Sequence, residues 1–144
     1  MVIRRKIIWL IISVSAFASC QQQRLEPVAL APEDMCSFCR MAISEHRYAA
    51  QLLDGEGQAF KFDDIGCLVN FMQRNNIDGK TGARFVMDFD ERIWIKGEDA
   101  YYVKSSEITT PMSGGVIAFT TQPKAQQAAE KFHGTTLRFG EVFQ

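Results

Sequence analysis

Tyr48-Ala49-Ala50-Gln51-Leu52-Leu53-Asp54-Gly55-Glu56-Gly57-Gln58-Ala59-Phe60-Lys61-Phe62 reads as two strands around a turn. Tyr48 to Leu53 is strand-like, Asp54 to Gly57 supplies turn residues, and Phe60 and Phe62 fall on one face of the second strand. Asp63 or Asp64 can then cap a helix whose apolar positions are Ile65, Leu68, Val69 and Met72, an i, i+3, i+4, i+7 stripe. Asn75, Asn76 and Gly79 end it. Arg84 to Phe89 is the next strand, with Phe85, Met87 and Phe89 alternating.

The same order returns further along. Ala100 to Lys104 is a strand, and a long connection through Pro111-Met112-Ser113-Gly114-Gly115 leads to the strand Val116 to Phe119. Thr120 or Thr121 caps a helix with Ala125, Ala128, Ala129 and Phe132 on one face. His133-Gly134 closes it, with Gly134 at the left-handed position after the cap, and Leu137 to Phe139 forms the last strand. This predicts an α+β fold of tandem β-β-α-β repeats, about 34–90 and 91–144. Glu91 to Gly97, with Ile93, Trp94 and Ile95, has no place in that scheme.

Upstream of the repeats lies an address. Arg4, Arg5 and Lys6 precede the apolar run Ile7 to Val14, which is too short to span a bilayer and reads as a signal peptide over 1–19. Ala16-Phe17-Ala18-Ser19-Cys20 resembles a lipoprotein lipobox, with Cys20 the lipidated mature N-terminus. Residues 20–33, polar and proline-punctuated, read as a flexible tether. The domain therefore faces the periplasm on a membrane surface. Gln21 after Cys20 gives no Asp-type retention signal, which points to the outer membrane of a two-membraned bacterium.

Of 144 residues, 47% are hydrophobic and 23% charged, enough for one core without metal support. Removing the three positive charges of the signal peptide from the formal −1 leaves the mature chain near −4. With no basic run, nucleic acid is excluded as a partner. Setting Cys20 aside leaves Cys36, Cys39 and Cys67, an odd number, so disulfides do not hold this fold together.

Met35-Cys36-Ser37-Phe38-Cys39-Arg40-Met41 carries the chemistry. It places two thiols three positions apart with a thioether beside each, a soft set suited to Cu(I). A Cys36–Cys39 disulfide is the alternative for this pair. Met112 lies between Pro111 and a Gly-rich turn, outside any periodic stripe, and is a second candidate for a sulfur ligand on a loop. Met72 and Met87 fit core positions. Cys39 is a candidate ligand or redox partner, and Met41 a ligand or an apolar lid. Cys67, on the helix, reads as a small buried hydrophobe. His46 reads as a solvated loop residue, His133 as a complement to a helix C-terminus, and Asp63 and Asp64 as capping residues.

Asp34-Met35-Cys36-Ser37-Phe38-Cys39-Arg40-Met41 resembles the Asp-x-Cys-x-x-Cys-x-Met signature of the NosL family, the copper-chaperone lipoproteins of nitrous oxide reductase assembly. Ala100 to Ser106, Pro111 to Gly115 and Ala118-Phe119 resemble its second-half motifs in the same order. The resemblance implies a shape related to the organomercurial lyase fold. It also implies a Cu(I)-binding metallochaperone that delivers copper to the reductase's copper–sulfide centre. Its copper-binding cysteine falls on Cys36 and its methionine on Met112. The expected partners are a copper-enzyme recipient or its maturation ABC-transporter complex, and a lipid bilayer. The family often has Gly where this chain has Arg40, and Cys67 is extra. The alternatives are a chaperone for a different copper enzyme or an extracytoplasmic thiol–disulfide oxidoreductase using Cys36 and Cys39. A zinc knuckle fits least, since only one Cys-x-x-Cys pair is present. No nucleophile–base pair marks an enzyme.

Overall fold

The computed structural model describes residues 25–143, so the signal peptide and Cys20 lie outside the described residues. Two antiparallel sheets carry the two repeats. The first contains β1 (Ala50–Leu53), β2 (Ala59–Phe62), β3 (Ala83–Met87) and β4 (Trp94–Lys96) in the order β2-β1-β3-β4. The second contains β5 (Tyr101–Lys104), β6 (Val116–Phe119) and β7 (Thr135–Leu137) in the order β6-β5-β7. In each, the first strand of the repeat is central, the second and third flank it, and the helix lies between them in sequence. Those helices are α1 (Ile65–Arg74) and α2 (Gln122–Lys131); a short α3 (Phe139–Val142) closes the chain. The α+β fold and its repeated β-β-α-β order are as predicted.

Local chemistry explains the elements. Asp54 Oδ1 accepts from the N–H groups of Glu56 and Gln58, each at 2.9 Å, which folds the hairpin so that Leu53 faces Ala59. All four residues of β1 are buried because the strand has neighbours on both edges and cover on both faces. Asp64 caps α1 by accepting from Cys67 N at 2.9 Å, and Ile65, Cys67, Leu68 and Met72 face the core. Met72 and Met87 are core residues, as predicted.

Four details differ from the sequence reading. The strand expected from Tyr48 starts at Ala50, because His46–Tyr48 forms a 3₁₀ turn. The unplaced segment supplies β4, whose Ile95 pairs with Val86 at the sheet edge. The last strand is shifted upstream, with Thr135–Leu137 facing Lys104–Tyr102, and Phe139 instead opens α3 and stacks on Phe143 at 4.5 Å. After α2, the left-handed residue is His133 (φ 48°), not Gly134. Gly134 N donates to Ala129 O at 2.8 Å, the six-to-one bond of a Schellman ending. Glycine is needed there because an added Cβ would stand 2.8 Å from Lys104 O.

The sheets meet at Asp88, fully buried. It bridges to Ala118 in parallel, and its Oδ2 accepts from Thr120 N at 2.7 Å and Thr120 Oγ1 at 2.6 Å. The segment expected to be a free tether is docked from Val28 onward. The buried amide of Gln51 takes Val28 N at 3.0 Å and gives to Val28 O at 2.6 Å. Lys61 Nζ donates to Ala29 O at 3.1 Å and to Asp34 Oδ2 at 2.5 Å. A polar side chain in the middle of β1 needs a partner, and the N-terminal backbone satisfies it.

Candidate metal centre

The Cys36 loop is a closed turn. Cys36 N donates to Met41 O at 2.8 Å and Arg40 N to Cys36 O at 3.0 Å, while Met35 and Ala42 form a bridge. Ser37 N donates to Lys61 O at 2.7 Å, which fixes the loop on β2. Arg40 is held at φ 67°, a left-handed conformation that costs a side-chain-bearing residue about 1 kcal/mol. That is the physical sense of glycine at this place in the resembling signature.

Beneath this loop lies the first turn of α1. The sulfurs of Cys36, Cys39 and Cys67 and a carboxylate oxygen of Asp63 all lie within 4.8 Å of one another. Cys36 and Cys67 are buried, Asp63 is buried, and Cys39 is half-exposed. All three thiols are free. Cys39 Sγ donates to Asp63 Oδ2 at 3.4 Å, and Asp63 Oδ1 has no hydrogen-bond partner. Three free thiols gathered at one point are a soft donor set, and the carboxylate beside them, with one oxygen unpartnered, is an acceptor for the protons that metal binding releases.

The three thiols are not equivalent. The Cys67 thiol donates to Cys36 and, against the opposing effect of burial, lowers Cys36 from 9.0 to about 6; backbone N–H groups of Cys39, Asp63 and Phe38 add to this. Cys36 is therefore the thiolate of the group at neutral pH. Burial pushes Cys39 up to about 11, offset in part by Met41 N–H and reinforced by Cys36. Cys67 is held strongly protonated, by its bond to Cys36 and by burial.

The Met112 loop abuts the same helix end. Asp64 Oδ2 accepts from Thr110 Oγ1 at 2.7 Å and from Met112 N at 3.2 Å. Gly66 and Gly114 meet backbone to backbone, since a Cβ on Gly66 would stand 3.4 Å from Gly114 Cα. The Cys36 and Met112 loops thus both border the start of α1, the first at Asp63 and the second at Asp64. Met112, Met41 and Met35 are all exposed, at 43%, 57% and 52%. Large apolar side chains left in water on the Cys36 loop and on the loop tied to Asp64 are thioethers open to solvent.

Two residues of the cluster, Asp63 and Cys67, are inconspicuous in the sequence. By sequence, capping accounts for both aspartates, but in the structure Asp64 caps and Asp63 faces the sulfurs. A helix has one N-cap, so the second aspartate was surplus. Cys67 is buried as expected, yet its sulfur belongs to the cluster. The histidines stand apart from it: His46 lies in the 3₁₀ turn, and exposed His133 contacts Glu107 at 3.0 Å.

The NosL family model matches residues 27–144. The crystal structure of the copper chaperone NosL from Shewanella denitrificans is similar to this fold, with a TM-score of 0.75 at 20% identity over 84% of this chain and 98% of that one. No curated protein sequence matches. With the family match running from before the Cys36 loop to the end of the chain, this protein belongs to the NosL family.

Proposed function

We propose that this protein is a Cu(I) metallochaperone. The reading is carried by the juxtaposition of a buried thiol cluster and an exposed methionine loop tied to the same helix end. Cys36 and Cys39 grip the ion. Met41 and Met112 are thioether ligands on the open side, taking copper as it enters and leaves. Soft sulfur at every position favours Cu(I) over hard cations. The structural similarity to a copper chaperone supports the same reading.

The finer reading adds an anchor and a recipient. Acylated Cys20 holds the domain at a periplasm-facing membrane surface, and copper goes to the copper–sulfide centre of nitrous oxide reductase, directly or through its maturation transporter. No helix of the described residues is long and apolar enough to cross a membrane. The motive for the recipient is family membership.

Thiol–disulfide exchange is the second reading, favoured by the split between Cys36 at about 6 and Cys39 at about 11. The motif itself sits in a turn rather than at the start of a helix, which is where such redox pairs are usually placed. Anaerobic competition against a Cu(I)-specific chelator decides between them. The expected result is about one tightly held Cu(I) per chain, with Zn(II) far weaker. Zinc held as tightly as copper, or no copper uptake, would defeat the chaperone reading.

A further inference from the structure

Cys67 needs an account of its own. It is 1% exposed, lies in the first turn of α1, and presents its sulfur to Cys36 and Cys39 rather than to aliphatic neighbours alone. A small core residue would serve packing equally well as alanine. What alanine could not supply is a third thiol inside a pocket that already contains two.

We propose that Cys67 is a third thiolate ligand, so that the chain carries Cu(I) in transit in a closed Cys36–Cys39–Cys67 site. This inference rests on the chaperone reading and names the resting coordination within it. Metal–thiolate bonds of about 2.3 Å in a trigonal plane place the sulfurs about 4 Å apart. The sulfurs here all lie within 4.8 Å of one another, so closing on an ion calls for shifts below about 1 Å. Each thiol enters as thiolate, its proton passing to water. Asp63 Oδ2, which accepts from Cys39 Sγ, is the first acceptor on that way out. The carboxylate itself is a hard donor and stays outside the coordination of a soft ion. The N-terminal end of α1 faces the negative charge that three thiolates bring.

A site closed by three thiolates has a different task from one open to solvent. Copper there has no free position for water or oxygen. Cys39 is the half-exposed member, and the exposed Met41 follows it by two residues in the same loop. Transfer then proceeds by exchange: a thioether enters as the Cys67 bond lets go. The third thiol thus makes the cargo inert during carriage, and the thioethers make it labile at delivery.

X-ray absorption at the copper edge tests this on the purified full chain, loaded anaerobically with one equivalent of Cu(I). Three sulfur neighbours are expected, and three again in the Met35→Leu/Met41→Leu/Met112→Leu variant, whose substitutions are all at exposed positions. Cys67→Ser is expected to drop to two sulfurs and lose about tenfold or more in affinity, with circular dichroism confirming its fold. A sulfur count below three in the methionine variant makes the third ligand a thioether and overturns the proposal, while leaving the chaperone reading intact. That arm leaves Cys67 untouched and therefore decides the matter even if Cys67→Ser does not fold. An unchanged count and affinity in folded Cys67→Ser also overturns it. No copper uptake by the unsubstituted chain overturns both readings.

Discussion

Thr110 Oγ1 donates to Asp64 Oδ2 at 2.7 Å across 46 residues of sequence, joining the second repeat to the helix cap of the first. The same carboxylate caps α1 and accepts from Met112 N. One buried group therefore fixes both the helix that carries Cys67 and the loop that carries Met112.

Asp64→Ala removes the cap and both ties to the loop, and is expected to cost about 2–4 kcal/mol. Thr110→Val removes one tie and also leaves Gly115 N without its acceptor, for an expected loss of about 1–2 kcal/mol. Urea denaturation reads both. Copper transfer to a chelator is expected to change in parallel, and a loss of stability without any change in transfer would separate the loop from the site.

Cys36→Ser is expected to remove most Cu(I) affinity, since a hydroxyl is a hard and weak substitute for the one thiol already ionised at neutral pH. Met112→Leu is expected to leave stability within about 0.5 kcal/mol, because the side chain is exposed, and to slow the handover of copper. Stopped-flow exchange with a chromophoric chelator separates the two effects.

Arg40→Gly is expected to stabilise the protein by about 0.5–1 kcal/mol, by relieving the left-handed backbone at φ 67°. Thermal unfolding under reducing conditions reads it. No gain would mean that the Arg40 side chain makes contacts worth as much as the strain.

The thiolate of Cys36 gives stability a pH dependence. Its folded value of about 6 lies below the ordinary 9.0, so its contribution is complete above pH 9 and is lost as pH falls towards 6. Cys39 and Cys67 are shifted the other way, and ionising them above pH 9 favours the unfolded chain. The metal-free protein is therefore expected to gain stability from pH 6 upward and to lose the gain at high pH. Cys36→Ser should flatten the lower part of the profile. A thiolate absorbance midpoint near 9 in the native protein would contradict it.

Asp88→Ala is expected to cost about 3 kcal/mol or more, since it leaves the Thr120, Asp90 and Glu91 N–H groups without their acceptor at the junction of the sheets. Burial raises the Asp88 carboxyl, but those N–H groups and the Thr120 hydroxyl outweigh it and hold it below 3.8. Its contribution is present above that value and disappears as pH falls through the folded one. Acid unfolding of the unsubstituted protein should thus begin below about pH 4.

Much of the fold was legible because local chemistry specifies it. The Asp54–Gly57 turn and the Asp64 cap with its Ile65–Met72 stripe each act within a few residues, whereas the threonines expected to cap α2 do not: Thr121 makes no side-chain cap and Thr120 binds Asp88. β4 was not legible: Trp94–Lys96 is three residues long and becomes a strand only by pairing with β3. The docking of Val28 was hidden for a similar reason, because Gln51 reads as a surface position until its partner is seen 23 residues away. At the site, Cys36, Cys39 and the methionines stood out through their spacing. Cys67 did not, since a core position and a ligand position on α1 fall on the same face of the helix.

The docked N-terminus has a mechanical consequence. Tension applied along the chain from its start reaches Val28 first, where the Gln51 amide delivers it to the central strand of the first sheet. What passes beyond is taken by Lys61, which holds Ala29 O and the Asp34 carboxylate together. Only then does the chain enter the Cys36 loop. Two clamps therefore stand between any pull on the N-terminus and the sulfur cluster, and the load path runs into the sheet instead of through the ligands. A pull on the N-terminal segment therefore leaves the sulfur geometry undisturbed.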